Sequence, residues 1–184
     1  MSPHLDRGQG TPLVHLQSGE APQWTPAHDL LARRFRVVAL SVDRSSSPAT
    51  VAGAIKNLGI DTFDLIAASE TAATALALAL EAPERVRALV LEAPPAVGDT
   101  GLEGRLQNVA VPTLVLFGTG DTAASPDVGR VYRQRIPNAH LVFVYAANRA
   151  ISADRPEAFA DVVADFVERH EAFVIRRDQT VIHP

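Results

Sequence analysis

The sequence contains no cysteine. That excludes disulfide bonds, a thiolate nucleophile and any metal site built on sulfur. It also fits a reducing compartment, so a cytoplasmic location is expected. The histidines are scattered, with no two at ligand spacing on one helix, so no metal is expected. No cofactor is expected either. A phosphate-cradling G-x-x-x-x-G-K loop is absent, and the Gly118/Gly120 pair lacks both the third glycine and the first-strand position of a dinucleotide fingerprint. There is no basic stripe, and the net charge is -4. That argues against nucleic acid and an acidic membrane surface as partners. No apolar run approaches the roughly 20 residues of a membrane span. The opening MSPHLDRGQGTP lacks the apolar core of a secretory signal, so none is expected. Internal repeats and low-complexity segments are missing too.

What is present is a chain of 184 residues, 47% of them hydrophobic, enough for one domain with a sizeable core. Six short apolar runs recur: PLVHLQ (12–17), FRVVALS (35–41), FDLIAAS (63–69), VRALVLEA (86–93), TLVLFG (113–118) and HLVFVYA (140–146). They are rich in Val, Leu and Ile and do not alternate cleanly with polar residues. Strands buried on both faces have this composition. Helical patterns at 25–34, 49–58, 70–82, 126–135 and 156–170 separate them. The alternation predicts a doubly wound, mostly parallel α/β sheet with helices on both faces. Ligand sites in such sheets lie beyond the C-terminal ends of the strands. The expected organisation is a flexible lead-in (1–11), one domain (12–170) and a C-terminal tail (171–184) whose apolar parts pair with the sheet or with a second copy of the chain.

The stretch TFDLIAASETAATALALAL (62–80) is laid out as a strand, a sharp turn carrying Ser69, and a helix. Together with PLVHLQSGEAPQWTPAHDLLARRFRVVAL, VPTLVLFGTGDTAASPD and DRPEAFADVVADFVERH, in this order, it resembles the α/β-hydrolase family over roughly residues 12–170. The resemblance implies an α/β-hydrolase-like fold. The gap between Ala93 and Pro112 is too short for a cap domain, and without a lid an enclosed apolar pocket is not expected.

That family's chemistry requires a serine on a strained turn, a histidine base, an acid to orient it, and donors for an oxyanion. The resemblance places Ser69 at the nucleophile position. Both glycines of G-x-S-x-G are replaced, by Ala67 and Thr71. Glu70 brings a carboxylate beside the place where negative charge would develop. An ordinary helix N-terminus, with Ser69 as cap and Glu70 in the first turn, is the alternative. The oxyanion loop corresponds to Gln17, Ser18 and Gly19, and the acid to Asp121. The base position is held by Arg149, which cannot accept a proton. His15 could face the site from the first strand but reads chiefly as a core residue. His140 begins a strand at the wrong edge, and His4, His28 and His170 read as surface positions. His183 lies in the tail.

Loss of a triad member costs about 10⁴ to 10⁶ in kcat. The expected function is therefore that of a hydrolase-fold pseudoenzyme binding a small-molecule ligand or a protein partner, with a homodimer through the tail as one form of the latter. A weak ester or thioester hydrolase using Ser69, Asp121 and an unidentified base is the alternative. An anion held by Arg149, the helix N-terminus and Ser69 is a third reading. The loops of Asp121 and Arg149 are expected to meet beside Ser69 and pair, with Glu70 as a competing partner for Arg149.

Overall fold

The computed structural model describes residues 3–43, 45–122, 126–173 and 181–183. The six expected strands form, as β2 (Pro12–Ser18), β3 (Arg36–Val42), β4 (Phe63–Ala68), β5 (Val86–Glu92), β6 (Thr113–Gly118) and β7 (Ala139–Val144). The helices are α1 (Pro26–Leu31), α2 (Pro48–Asn57), α3 (Ala72–Glu81), α4 (Pro126–Arg135), α5 (Ile151–Asp154) and α6 (Pro156–Arg169). Two edge strands join them. β1 (His4–Arg7) pairs antiparallel with β3, and β8 (Val181–His183) pairs parallel with β7. The sheet order is β1-β3-β2-β4-β5-β6-β7-β8.

One expectation changes and another is narrowed to one of its alternatives. The lead-in is not wholly flexible, because His4–Arg7 bonds along the open side of β3 and Asp6 pairs with Arg36. The end of the tail continues the chain's own sheet, while 174–180 and 184 lie outside the described residues. No described helix is long and apolar enough to cross a membrane.

Local chemistry explains where the helices begin. Ser47 accepts a hydrogen bond from Thr50 N–H ahead of Pro48, and Thr25 with His28 forms a capping box ahead of Pro26. Each strand then alternates between two cores. Val14, Val38, Leu65, Leu89 and Val115 pack under α2, α3 and α4, while Leu13, Val37, Ile66, Val90 and Leu116 pack under α1, α5 and α6. The alanines of α3 that are buried, Ala72, Ala75 and Ala79, let that helix lie close to the sheet. Between β5 and β6 the chain forms only two 3₁₀ turns, Val97–Thr100 and Glu103–Asn108, so no cap stands over the sheet edge.

β2 has β3 on one side and β4 on the other, so the direction of winding reverses there. The crevice at that switch point is where an α/β sheet places its ligands.

Candidate active site

Ser69 follows β4 at this switch point. Its φ is +41°, in the left-handed region that non-glycine residues seldom occupy. The strained turn of a nucleophile elbow is thus present without its glycines. Ser69 is not a helix cap. It opens a single 3₁₀ turn, Ser69–Thr71, whose N-cap is Ala68, and α3 starts after Thr71 with no side-chain cap. Thr71 has taken on a holding role. Its buried hydroxyl lies 3.0 Å from both the Leu16 and the Ala68 carbonyl oxygens, tying the turn to β2.

The loops after β6 and β7 are pressed together. A Cβ on Gly118 would stand 2.2 Å from the Ala147 carbonyl oxygen and 2.3 Å from that of Asn148. Gly120 N–H donates to Ala147 O at 2.8 Å, and Ala146 N–H donates to the Thr119 hydroxyl at 3.0 Å. The two glycines therefore exist for this close backbone approach. It brings Asp121, whose side chain is 5% exposed, to the loop of Arg149: Arg149 Nε lies 3.8 Å from Asp121 Oδ2. That is an ion pair, longer than the hydrogen bond expected. Half of the Arg149 side chain remains exposed.

An open cleft of about 420 Å³ lies against Ser69. Its walls include Gln17, Ser18, Gln23 and Thr25 on one side, Ser69 and Glu92 on the floor strands, and Arg149 and Ser152 opposite. Of the expected oxyanion residues, Gln17 and Ser18 reach the cleft. The Gln17 side chain is engaged with Gln23, donating to its carbonyl at 3.0 Å and accepting from its N–H at 2.6 Å, so it is not turned to an oxyanion. Gly19 faces a neighbouring hollow beside Ser41, whose hydroxyl donates to its carbonyl. Glu70 is exposed.

Along the buried wall of the cleft lies a network of which the sequence reading placed only His15, as a core residue near the site. His28, read as a surface residue, is 1% exposed. It stands on α1 over β2, where Thr25 N–H donates to His28 Nδ1 at 2.9 Å. A nitrogen that accepts carries no proton, so the neutral ring holds its proton on Nε2. His28 Nε2–H then donates to His15 Nδ1 at 2.9 Å. His15 is left with its proton on Nε2, which points to Glu92 Oε2 at 3.9 Å. The other Glu92 oxygen accepts from Ser152 N–H at 2.8 Å. His15 and Glu92 are 2% and 1% exposed, and neither His15 Nε2 nor Glu92 Oε2 has a hydrogen-bond partner.

Burial drives all three groups toward neutrality. Glu92 is pushed up to about 7, His28 is lowered to about 4, and His15 is lowered well below 6.5, with the neighbouring His28 adding to its shift. Although His15 and Glu92 are within ion-pair distance, both shifts run toward the neutral forms, His15 strongly so. His15 lines the same cleft as Ser69, but its Nδ1 is bonded to His28 and its Nε2 faces Glu92, and among the described residues no histidine hydrogen-bonds to the Ser69 hydroxyl. His170, also read as a surface residue, is partly buried at the other end of the sheet, 3.1 Å from Asp64. His140 stands on β7, and its ring packs edge-on against Phe173. Among the described residues no cluster of three potential metal ligands occurs.

Signals for the missed residues were present in part. Glu92 is a charge closing an apolar strand at the site edge, and Thr25-x-x-His28 has the spacing of a capping box.

No protein-family model matches the sequence, and no curated protein sequence matches it either. Solved structures do. A bacterial membrane phospholipase A aligns over 90% of this chain and 81% of its own, at 18% identity and a TM-score of 0.78. An enol-lactonase from Burkholderia xenovorans aligns over 90% and 95%, at 18% identity and 0.77. A carboxylesterase from Bacillus subtilis aligns over 89% and 86%, at 16% identity and 0.74. At these identities the likeness establishes the fold: the chain has the α/β-hydrolase fold, in a capless form.

Proposed function

We propose that this chain is a binding protein on a hydrolase fold: its cleft takes a small carboxylate, and ester hydrolysis has fallen to a residual rate. The observation that carries the reading is Arg149. It lines the cleft with Ser69, at the place where acyl transfer needs a base, and it stays protonated at any physiological pH. A guanidinium half open to the cleft suits a carboxylate, whose two oxygens match its planar fork. Asp121 orients the arginine instead of an imidazole. The Ser69 and Ser18 hydroxyls supply neutral hydrogen bonds beside it.

The test is a nuclear magnetic resonance titration of the protein with butyrate. Shifts confined to the Ser18, Ser69 and Arg149 surroundings, lost in Arg149→Gln, are expected. Butyrate binding that is equally strong in Arg149→Gln overturns the reading.

A second reading, a slow serine ester hydrolase, is favoured by one feature: Ser69 retains φ +41°, and such strain is commonly kept for chemistry. Against it stands His15, whose Nδ1 is bonded to His28 and whose Nε2 faces Glu92. Turnover of p-nitrophenyl butyrate that vanishes in Ser69→Ala, at a rate within about a hundredfold of ordinary enzymes, decides for this second reading.

A further inference from the structure

The buried wall of the cleft ends in two polar atoms that face each other without bonding. The chain from Thr25 N–H through His28 fixes the His15 tautomer, so an N–H is what His15 turns toward Glu92 Oε2. An ionised Glu92 would close onto that N–H, because a charged acceptor in a dry site gains most from the bond. A protonated Glu92, anchored through its other oxygen to Ser152 N–H, carries no charge to draw the His15 N–H in, and its neutral hydroxyl is a weak acceptor with little pull across the gap. The 3.9 Å gap between two atoms sealed from solvent matches the protonated acid.

We infer that the cleft holds its carboxylate ligand with Glu92 protonated across from His15, so that binding takes up one proton from solvent wherever the pH has stripped that proton from the free protein. The inference rests on the carboxylate reading of Arg149. An ionised Glu92 and a bound carboxylate would be two like charges at one cleft, so each disfavours the other. The proton on Glu92 removes that repulsion and is bound more tightly once the ligand is in place. By linkage, ligand affinity then falls as pH rises above the range where Glu92 loses its proton.

Other charged groups around Glu92 act in known directions. Across β2 and α1 stand His15 and His28, both neutral. α5 brings Asp154, which favours the protonated acid. Arg149, on the loop before α5, opposes it, and Asp121 offsets Arg149 from the loop after β6. Glu70, beyond β4, is exposed to solvent. The raised Glu92, at about 7, places the change within reach of ordinary buffers.

The experiment measures butyrate affinity from about pH 5.5 to about pH 8.5 for wild type, Glu92→Gln and Arg149→Gln. Alongside it, the Glu92 carboxyl carbon of wild type is titrated by ¹³C resonance with and without butyrate. The expected wild-type Kd is flat at the acid end and rises about tenfold per pH unit at the alkaline end, the slope for one linked proton. Glu92→Gln should bind with a pH-independent Kd, and the Glu92 midpoint should move up when butyrate is present. If Glu92→Gln does not fold, the wild-type carboxyl titration alone decides. A wild-type Kd that depends on Arg149 but not on pH, or a Glu92 midpoint near 4.5 that butyrate does not move, overturns this inference and leaves the carboxylate reading standing. Absence of butyrate binding at every pH, or binding indifferent to Arg149→Gln, removes both.

Discussion

Replacing Glu92 by glutamine should make the protein more stable at alkaline pH while changing little in acid. Glutamine copies the neutral acid in shape and keeps an acceptor for the Ser152 N–H. Glu92 moves from 4.5 to about 7 on folding, because burial outweighs its hydrogen bonds to Ser152 and Ile151. That rise corresponds to about 3 kcal/mol. The sign follows from proton binding. The folded state holds the Glu92 proton more tightly, so this group costs nothing below pH 4.5, and its penalty grows until the folded state also ionises near pH 7. Glutamine carries no such penalty. The difference between Glu92→Gln and wild type should therefore be under about 0.5 kcal/mol at pH 4 and about 3 kcal/mol at pH 8. His28 works in the opposite direction. Its folded value is depressed to about 4, so it contributes stability above pH 6.5 that is lost as pH falls through 4. Both proteins share that term, and it cancels in the comparison. Urea unfolding followed by tryptophan fluorescence measures the difference, because Trp24 is the single tryptophan and its ring stacks 5.0 Å from that of His28. A stability difference that is the same at pH 4 and pH 8, or a variant less stable than wild type at pH 8, would refute the reasoning.

Three further outcomes follow from the same geometry. Thr71→Val removes the hydroxyl that ties the elbow to Leu16 and Ala68 while keeping the volume, and should cost about 1–2 kcal/mol in chemical denaturation. Gly118→Ala places a methyl group inside the contact with Ala147 and Asn148; it should lower the melting temperature and broaden the resonances of both loops, whereas Gly53→Ala, with nothing within 4 Å, should do neither. Arg149→His restores a histidine at the base position, yet p-nitrophenyl butyrate turnover should remain at least about a hundredfold below ordinary enzymes, because Thr71, Glu70 and the missing cap are unchanged.

The strands and helices were legible because most are buried on both faces or along one stripe, and burial writes itself into composition. β2 to β7 all lie within a residue or two of their apolar runs. β1 was not legible: His4–Arg7 is a polar edge strand held by backbone bonds to β3 and by the Asp6–Arg36 pair, neither of which leaves an apolar pattern. The site was legible in outline, since the loops of Asp121 and Arg149 do meet and Ser69 does stand at the cleft beside Arg149. What escaped was side-chain burial. His28 lies on a short helix whose inward face was not evident, and Glu92 was absorbed into a strand where a carboxylate would not be sought. Burial shifts both toward their neutral forms, a bias that sequence does not display.

The central proposal is that Ser69 is not an effective nucleophile, because Arg149 is read as occupying the place of the base. Intact-mass spectrometry after incubation with a fluorophosphonate tests it most directly, since such probes modify only an activated serine. The expected result is an unmodified mass for wild type under conditions that label an ordinary esterase to completion. A stoichiometric adduct on wild type that is absent from Ser69→Ala would contradict the claim and show that the serine is activated by groups already in the cleft.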